Sequence, residues 1–218
     1  MRYGDALPAG FAIPSSGFWL RNDLRRNPYA LLPLVPGDVV LDVGGYCGTF
    51  AAAAMEQGAS RVVVYEAHPT NHARAVENLS RYGEACRVVH AACVADDARE
   101  AVLTLSGFDG AHSLVSGAKR VKTLRVPSVK FRDVVREAQP QVLKLDVEGA
   151  EYALLESLQR GDLSSVTGLF IEWHPIAARP ARIAALRAYI RAEGLRERTT
   201  RLRAYIATRS GGQEEPWP

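Results

Sequence analysis

The chain has 218 residues, 47% of them hydrophobic, enough to bury one sizeable core and a better fit to one domain than to two. Its 27 basic residues are nearly balanced by 24 acidic ones, leaving a net charge of +3, so nothing in the charge demands a nucleic-acid partner. Three cysteines without CxxC spacing argue against a disulfide framework or a zinc knuckle, and no apolar run approaches the roughly 20 residues that span a bilayer, so a soluble protein of the reducing cytoplasm with no membrane partner is expected.

Residues 1–36 carry Pro8, Pro14, Pro28, Pro33 and Pro36 among Gly4, Gly10 and Gly17, which interrupt long helices and predict an irregular cap. Phe18 and Trp19 are expected to pin that cap to the core. A single domain over 37–210 follows, and 211–218 reads as a flexible tail. Within the domain, strands at 39–43, 61–65 and 87–91 alternate with helices at 48–58 and 69–82, the pattern of a parallel sheet. Between Glu100 and Val129 short apolar runs separated by Gly107, Gly110 and Gly117 predict a hairpin excursion. A helix at 131–138, a strand at 142–147, a helix near 150–159 and a strand at 168–173 resume the alternation. Ile183, Leu186 and Ile190 give the segment 177–193 one inward face, with Arg182, Arg187 and Arg191 on a solvated one. LRERTT and RLRAYIAT complete the sheet as an antiparallel pair.

The stretch Val39–Gly48, VVLDVGGYCG, joins a buried strand to a helix through a glycine turn, and the next strand ends in Glu66. That carboxylate follows Gly44 at roughly the 20-residue separation that sets an acid against ribose hydroxyls in a βαβ unit. The glycines read GGxxG rather than GxGxxG, and Asp42 stands where a carboxylate can meet an ammonium. S-adenosylmethionine, with an ammonium, a sulfonium and a ribose, fits this better than a dinucleotide pyrophosphate. The cofactor-binding set is therefore Asp42, Gly44, Gly45, Tyr46, Gly48, Glu66, Ala67, Ala92 and Asp146.

KLDVEGAE, Lys144–Glu151, and the later IEWHP repeat the logic of a strand ending in charged groups, where ligands of open α/β sheets bind. Asp146, Glu172 and His174 are the candidate catalytic residues, with His174 as base because its ordinary pKa of about 6.5 leaves it largely neutral near pH 7. The same three side chains could instead ligate a divalent ion, the lesser alternative; no metal is assigned. His68 and His72 are spaced i, i+4, but Pro69 and the lack of HExxH favour the start of a helix over a metal pair.

Between about Pro36 and Pro175 the sequence resembles the FkbM-type methyltransferases. The family's DVGANxG is matched by DVGGYCG from Asp42, its EPxP and following asparagine by EAHP from Glu66 and by Asn78, its KxDVEGAE by Lys144–Glu151, and its E-x-H by Glu172 and His174. Tyr46 replaces the usual asparagine, Ala67 the usual proline, and VPSVKFRDVV the usual threonine-leucine-aspartate-aspartate stretch. The resemblance implies a Rossmann-like class I α/β fold, a seven-stranded mostly parallel sheet with one antiparallel strand, and O-methylation of a hydroxylated small molecule such as a natural product or sugar. Competing readings are an RNA or other nucleic-acid methyltransferase, a non-catalytic nucleoside-binding regulatory protein and a nicotinamide dehydrogenase.

Overall fold

In the computed structural model the described residues are 8, 10–13, 29, 31–105, 112–114, 122–174, 180–199 and 204–209. Phe18, Trp19 and the tail expected at 211–218 lie outside them. The elements in chain order are β1 (Val39–Val43), α1 (Thr49–Glu56), β2 (Arg61–Glu66), α2 (Pro69–Leu79), β3 (Cys86–His90), β4 (Ala92–Val94), β5 (Glu100–Thr104), β6 (Thr123–Lys130), α3 (Phe131–Ala138), β7 (Val142–Leu145), α4 (Glu151–Ser157), β8 (Gly168–Glu172), α5 (Pro180–Ala192), β9 (Leu195–Thr199) and β10 (Ala204–Arg209). Seven strands form one sheet in the order β3-β2-β1-β7-β8-β10-β9, and β10 runs antiparallel to β8 and β9 while the other pairs are parallel. This is the expected doubly wound sheet with a single reversed strand.

Both faces of the sheet are covered because its central strands carry apolar side chains on both faces rather than on one. Val40, Val62, Val64 and Val142 pack under α1 and α2, whose alanines Ala51–Ala54 and Ala75 are small enough to bring the helices close. Leu41, Val43, Leu143, Leu145, Leu169 and Ile171 face the opposite layer of α3, α4 and α5. From the cap, Phe11, Ile13, Tyr29, Leu32 and Leu34 pack on the first of these clusters. Tyr29 wedges between Phe50 and Phe170, with ring centroids 4.8 and 4.7 Å away.

The predicted hairpin is present: β5 and β6 pair antiparallel. The three-residue β4, too short to register as an alternating pattern, joins β6 in parallel and makes a second, three-stranded sheet. The strand expected over 142–147 stops at Leu145, and Asp146 and Val147 enter the turn that leads to α4. Helix α2 ends at Leu79 rather than 82, passing into a 3-10 segment, Ser80–Ala85, that contains Gly83 at φ 54°. In α5, Leu186 and Ile190 are buried and Ile183 partly so, as the spacing predicts. Two of its arginines depart from the solvated face: Arg182 and Arg187 are half-buried over Tyr152 and Tyr205 and pair with Glu156 and Glu197. Among the described residues no helix is long and apolar enough to cross a membrane. Cys47, Cys86 and Cys93 are free and buried.

Candidate active site

The carboxyl ends of β1, β2, β7 and β8 bring the candidate residues to one edge of the sheet, in two groups. In the first, the glycine turn hangs on β2: Gly44 and Gly45 donate to the Tyr65 carbonyl at 2.9 and 3.2 Å. Gly44 has φ +85°, and a Cβ there would overlap the Asp146 carbonyl oxygen. Gly48 has φ +87°, and its Cβ would stand 2.8 Å from Leu79 Cδ1. These glycines let the turn lie close against the chain's own backbone and α2. Asn78, the asparagine after the acidic motif, explains its presence by donating to the Cys47 carbonyl at 2.9 Å and exchanging two bonds with Ala12, which ties turn to cap.

Glu66 is the anchor of this group. It is buried, its Oε2 accepts from the Tyr46 N–H and its Oε1 from the His68 N–H, both at 2.8 Å. Each oxygen keeps a lone pair for a further donor. Tyr46 reaches its place through a left-handed backbone, φ 52°. Burial pushes the Glu66 carboxyl up to about 7, against the two backbone N–H groups that stabilise its anion. Beside it Ala67 packs against the cluster of Ala92, Leu103 and Val126, so the two predicted alanines form an apolar wall next to the acid.

Because the folded-state pKa of Glu66 lies above its unfolded value, the native state binds the extra proton between about pH 4.5 and 7, and stability falls as pH rises through that window. Glu66→Gln removes the titration. The stability of that variant relative to wild type is expected to improve by up to about 3 kcal/mol between pH 4.5 and 8, read from urea melts of ligand-free protein. A difference constant with pH would show that the carboxyl ionises normally.

Asp42 meets an ammonium, but it is the chain's own. Lys144, 3% exposed, places Nζ 3.1 Å from Asp42 Oδ1, 2.8 Å from the Gly44 carbonyl and 3.5 Å from Asp146 Oδ2. Burial works against this ammonium, yet Asp42 and Asp146 hold it above the ordinary lysine range. Lys144 is a rivet between the glycine turn and the second group.

In that second group the residues after β7 fold back on themselves. Glu148 takes a left-handed backbone, φ 54°, followed by Gly149 at φ 111°. The fully buried Glu151 carboxylate accepts from the N–H groups of Val147 and Gly149 and from His174 Nδ1 at 2.9 Å. Tyr152 Oη donates to the His174 carbonyl, so both backbone and ring of the histidine are fixed. Its Nε2 then faces Glu148 Oε2 at 3.2 Å and Glu172 Oε1 at 3.8 Å. Asp146, Glu172 and His174 do gather, as predicted, together with Glu148 and Glu151.

The electrostatics differ from those of an ordinary histidine. Burial disfavours its charge, but Glu151, Glu148 and Asp146 outweigh that and raise His174 to about 9, so without other cations it is charged near neutral pH. Glu148 is pushed up to about 7 by burial, against the pull of His174. Glu148 and Glu151 were visible in KLDVEGAE; what was not legible was that one turns to face the histidine and the other orients it. His68 and His72 do not face one another: their rings lie against His112 and His90.

Residues 42–199 match the methyltransferase FkbM domain. Among solved structures, methyltransferase FkbM from Methylobacillus flagellatus superposes with a TM-score of 0.55 at 18% identity, covering 94% of this chain and 56% of that one. This chain therefore spans little more than half the length of that protein. The precorrin-6y C5,15-methyltransferase of Geobacter metallireducens gives a TM-score of 0.50 at 12% identity, covering 94% and 96%. A putative RNA methyltransferase of Pyrococcus horikoshii gives 0.44 at 12%, covering 80% and 74%. No protein of curated function matches the sequence. The domain match takes in the glycine turn, Glu66, the Lys144 rivet and the His174 cluster, and the sheet they share has the class I methyltransferase order: the chain belongs to the FkbM methyltransferase family.

Proposed function

We propose that this protein transfers the methyl group of S-adenosylmethionine to a hydroxyl of a small molecule such as a natural product or sugar. The observation that carries the reading is the pairing of Glu66, its two oxygens pinned by the Tyr46 and His68 N–H groups, with the cluster of Asp146, Glu148, Glu151 and Glu172 around the His174 imidazole, which begins two strand ends away. Glu66 suits the ribose hydroxyls of the nucleoside, with the Gly44–Gly48 turn beneath and the Ala67 and Ala92 wall beside it. Asp146 is shared between the halves through Lys144. Asp146, Glu172 and His174 surround the acceptor, and their carboxylates accept hydrogen bonds from its hydroxyl groups. Methyl transfer needs an oxygen nucleophile in line with the sulfonium carbon and a group to take its proton, so placement and proton uptake are the protein's main contributions.

The reading is tested with S-adenosylmethionine labelled in its methyl group, the purified chain, a panel of hydroxylated metabolites including a crude metabolite extract, and total RNA. Label is expected in a small hydroxylated product. Label in RNA, or bound cofactor with no transfer to any acceptor, would overturn the proposal in favour of the nucleic-acid or regulatory reading.

A further inference from the structure

We infer that Asp146, Glu148 and His174 form a binding site for one divalent cation. Its role, holding the acceptor hydroxyl, rests on the methyl-transfer reading; its existence does not. One ligand atom from each of the three lies within 4.8 Å of the others, so small side-chain rotations bring all three to cation–oxygen distance of a common point. A single ion can therefore touch all three without rearrangement of the backbone.

The histidine is oriented as a ligand. It is 4% exposed, and its Nδ1 is engaged by Glu151, a carboxylate that is itself buried and locked by the N–H groups of Val147 and Gly149. A carboxylate on one ring nitrogen fixes the tautomer and presents the lone pair of the other, the arrangement that supports metal-bound histidines. Here Nε2 is aimed at Glu148 Oε2 and Glu172 Oε1. In the neutral imidazole, that lone pair and the carboxylate oxygens converge on one point and repel each other unless a cation lies between them. Lys144 does not fill that place: its ammonium sits behind Asp146, against Asp42 and the Gly44 carbonyl.

Two carboxylates and an imidazole suit a borderline divalent ion such as Mn²⁺ better than an alkali cation. The side chains of Asp146 and Glu148 are each 25% exposed, so the site opens to solvent on one side and leaves coordination positions for water and for the acceptor. The ion lowers the pKa of a coordinated hydroxyl. The O–H bond breaks with its proton passing to the Glu172 carboxylate, the oxygen electron pair forms the O–CH₃ bond, and the S–CH₃ bond breaks to release S-adenosylhomocysteine.

The test uses chelator-stripped full-length protein and Mn²⁺ alone, with free Mn²⁺ followed by electron paramagnetic resonance. Wild type is expected to bind one equivalent, and Glu148→Gln and Asp146→Asn each to weaken binding by about tenfold or more. Circular dichroism and urea melts, measured on the same samples, verify that each variant is folded, and one folded variant suffices. Failure of wild type to bind, or binding unaltered in a folded variant, would overturn the site and leave a protonated His174 as the cluster's counter-charge. S-adenosylhomocysteine binding without Mn²⁺ binding would sink the cation site alone, whereas loss of both would sink the methyltransferase reading as well.

Discussion

Glu66→Ala is expected to weaken binding of S-adenosylmethionine by roughly tenfold to over a hundredfold, on the order of 1.5 to 3 kcal/mol for a lost charged hydrogen-bonded contact. The expectation follows from how the side chain is spent. One lone pair on each oxygen is used by the Tyr46 and His68 N–H groups, which aim the carboxylate, and the remaining pairs suit two donors on a ribose. Alanine would also release Tyr46 from its left-handed backbone, φ 52°, so part of the loss is disordering of the turn. Glu66→Gln separates the contributions: it keeps one amide oxygen for an N–H group while giving up charge and one acceptor. It should bind more weakly than wild type and more tightly than Glu66→Ala in titration calorimetry. Paired with the predicted gain in stability at neutral pH, that result would mark Glu66 as a residue kept for binding at the fold's expense. Equal affinities in all three proteins would remove the nucleoside from this site.

His174→Ala should lower turnover by roughly 10²- to 10⁴-fold once an acceptor is known, while the affinity for S-adenosylmethionine changes little. The imidazole lies against Glu148, Glu151 and Glu172, and removing it leaves those carboxylates to repel one another where the acceptor's proton must depart. The cofactor side is insulated, since Glu66 and the glycine turn are held by β2 and Lys144 rather than by the histidine. Single-turnover rates and cofactor affinity, measured side by side, check the split. Wild-type turnover in the variant would leave proximity alone as the source of rate, and a parallel fall in cofactor affinity would make His174 structural.

The sheet was legible because its central strands are buried on both faces and read as short apolar runs, and because Gly, Pro and polar residues separate them from the helices. Leu41 and Val40 face opposite layers, a fact no alternation pattern was needed to reveal. The edges were less legible. Ala92–Val94 is too short to announce a strand, and Leu145 ends β7 two residues early because Glu148 and Gly149 adopt positive φ. In the site, residue types were readable from the motifs but partners were not. Asp42 offers an anion in either reading, and only the fold shows that Lys144, distant in sequence, claims it. His174 has an ordinary pKa in isolation; Glu151, placed by the first turn of α4, decides which of its nitrogens faces the cluster.

The most direct test of the whole account is a crystal structure with S-adenosylhomocysteine bound. The ribose should lie within hydrogen-bond distance of Glu66, with the adenine against the Ala67 and Ala92 wall and the sulfur pointing across the Asp146 strand end toward His174. A nucleoside bound elsewhere, or a sulfur directed away from the Asp146, Glu172 and His174 cluster, would contradict it.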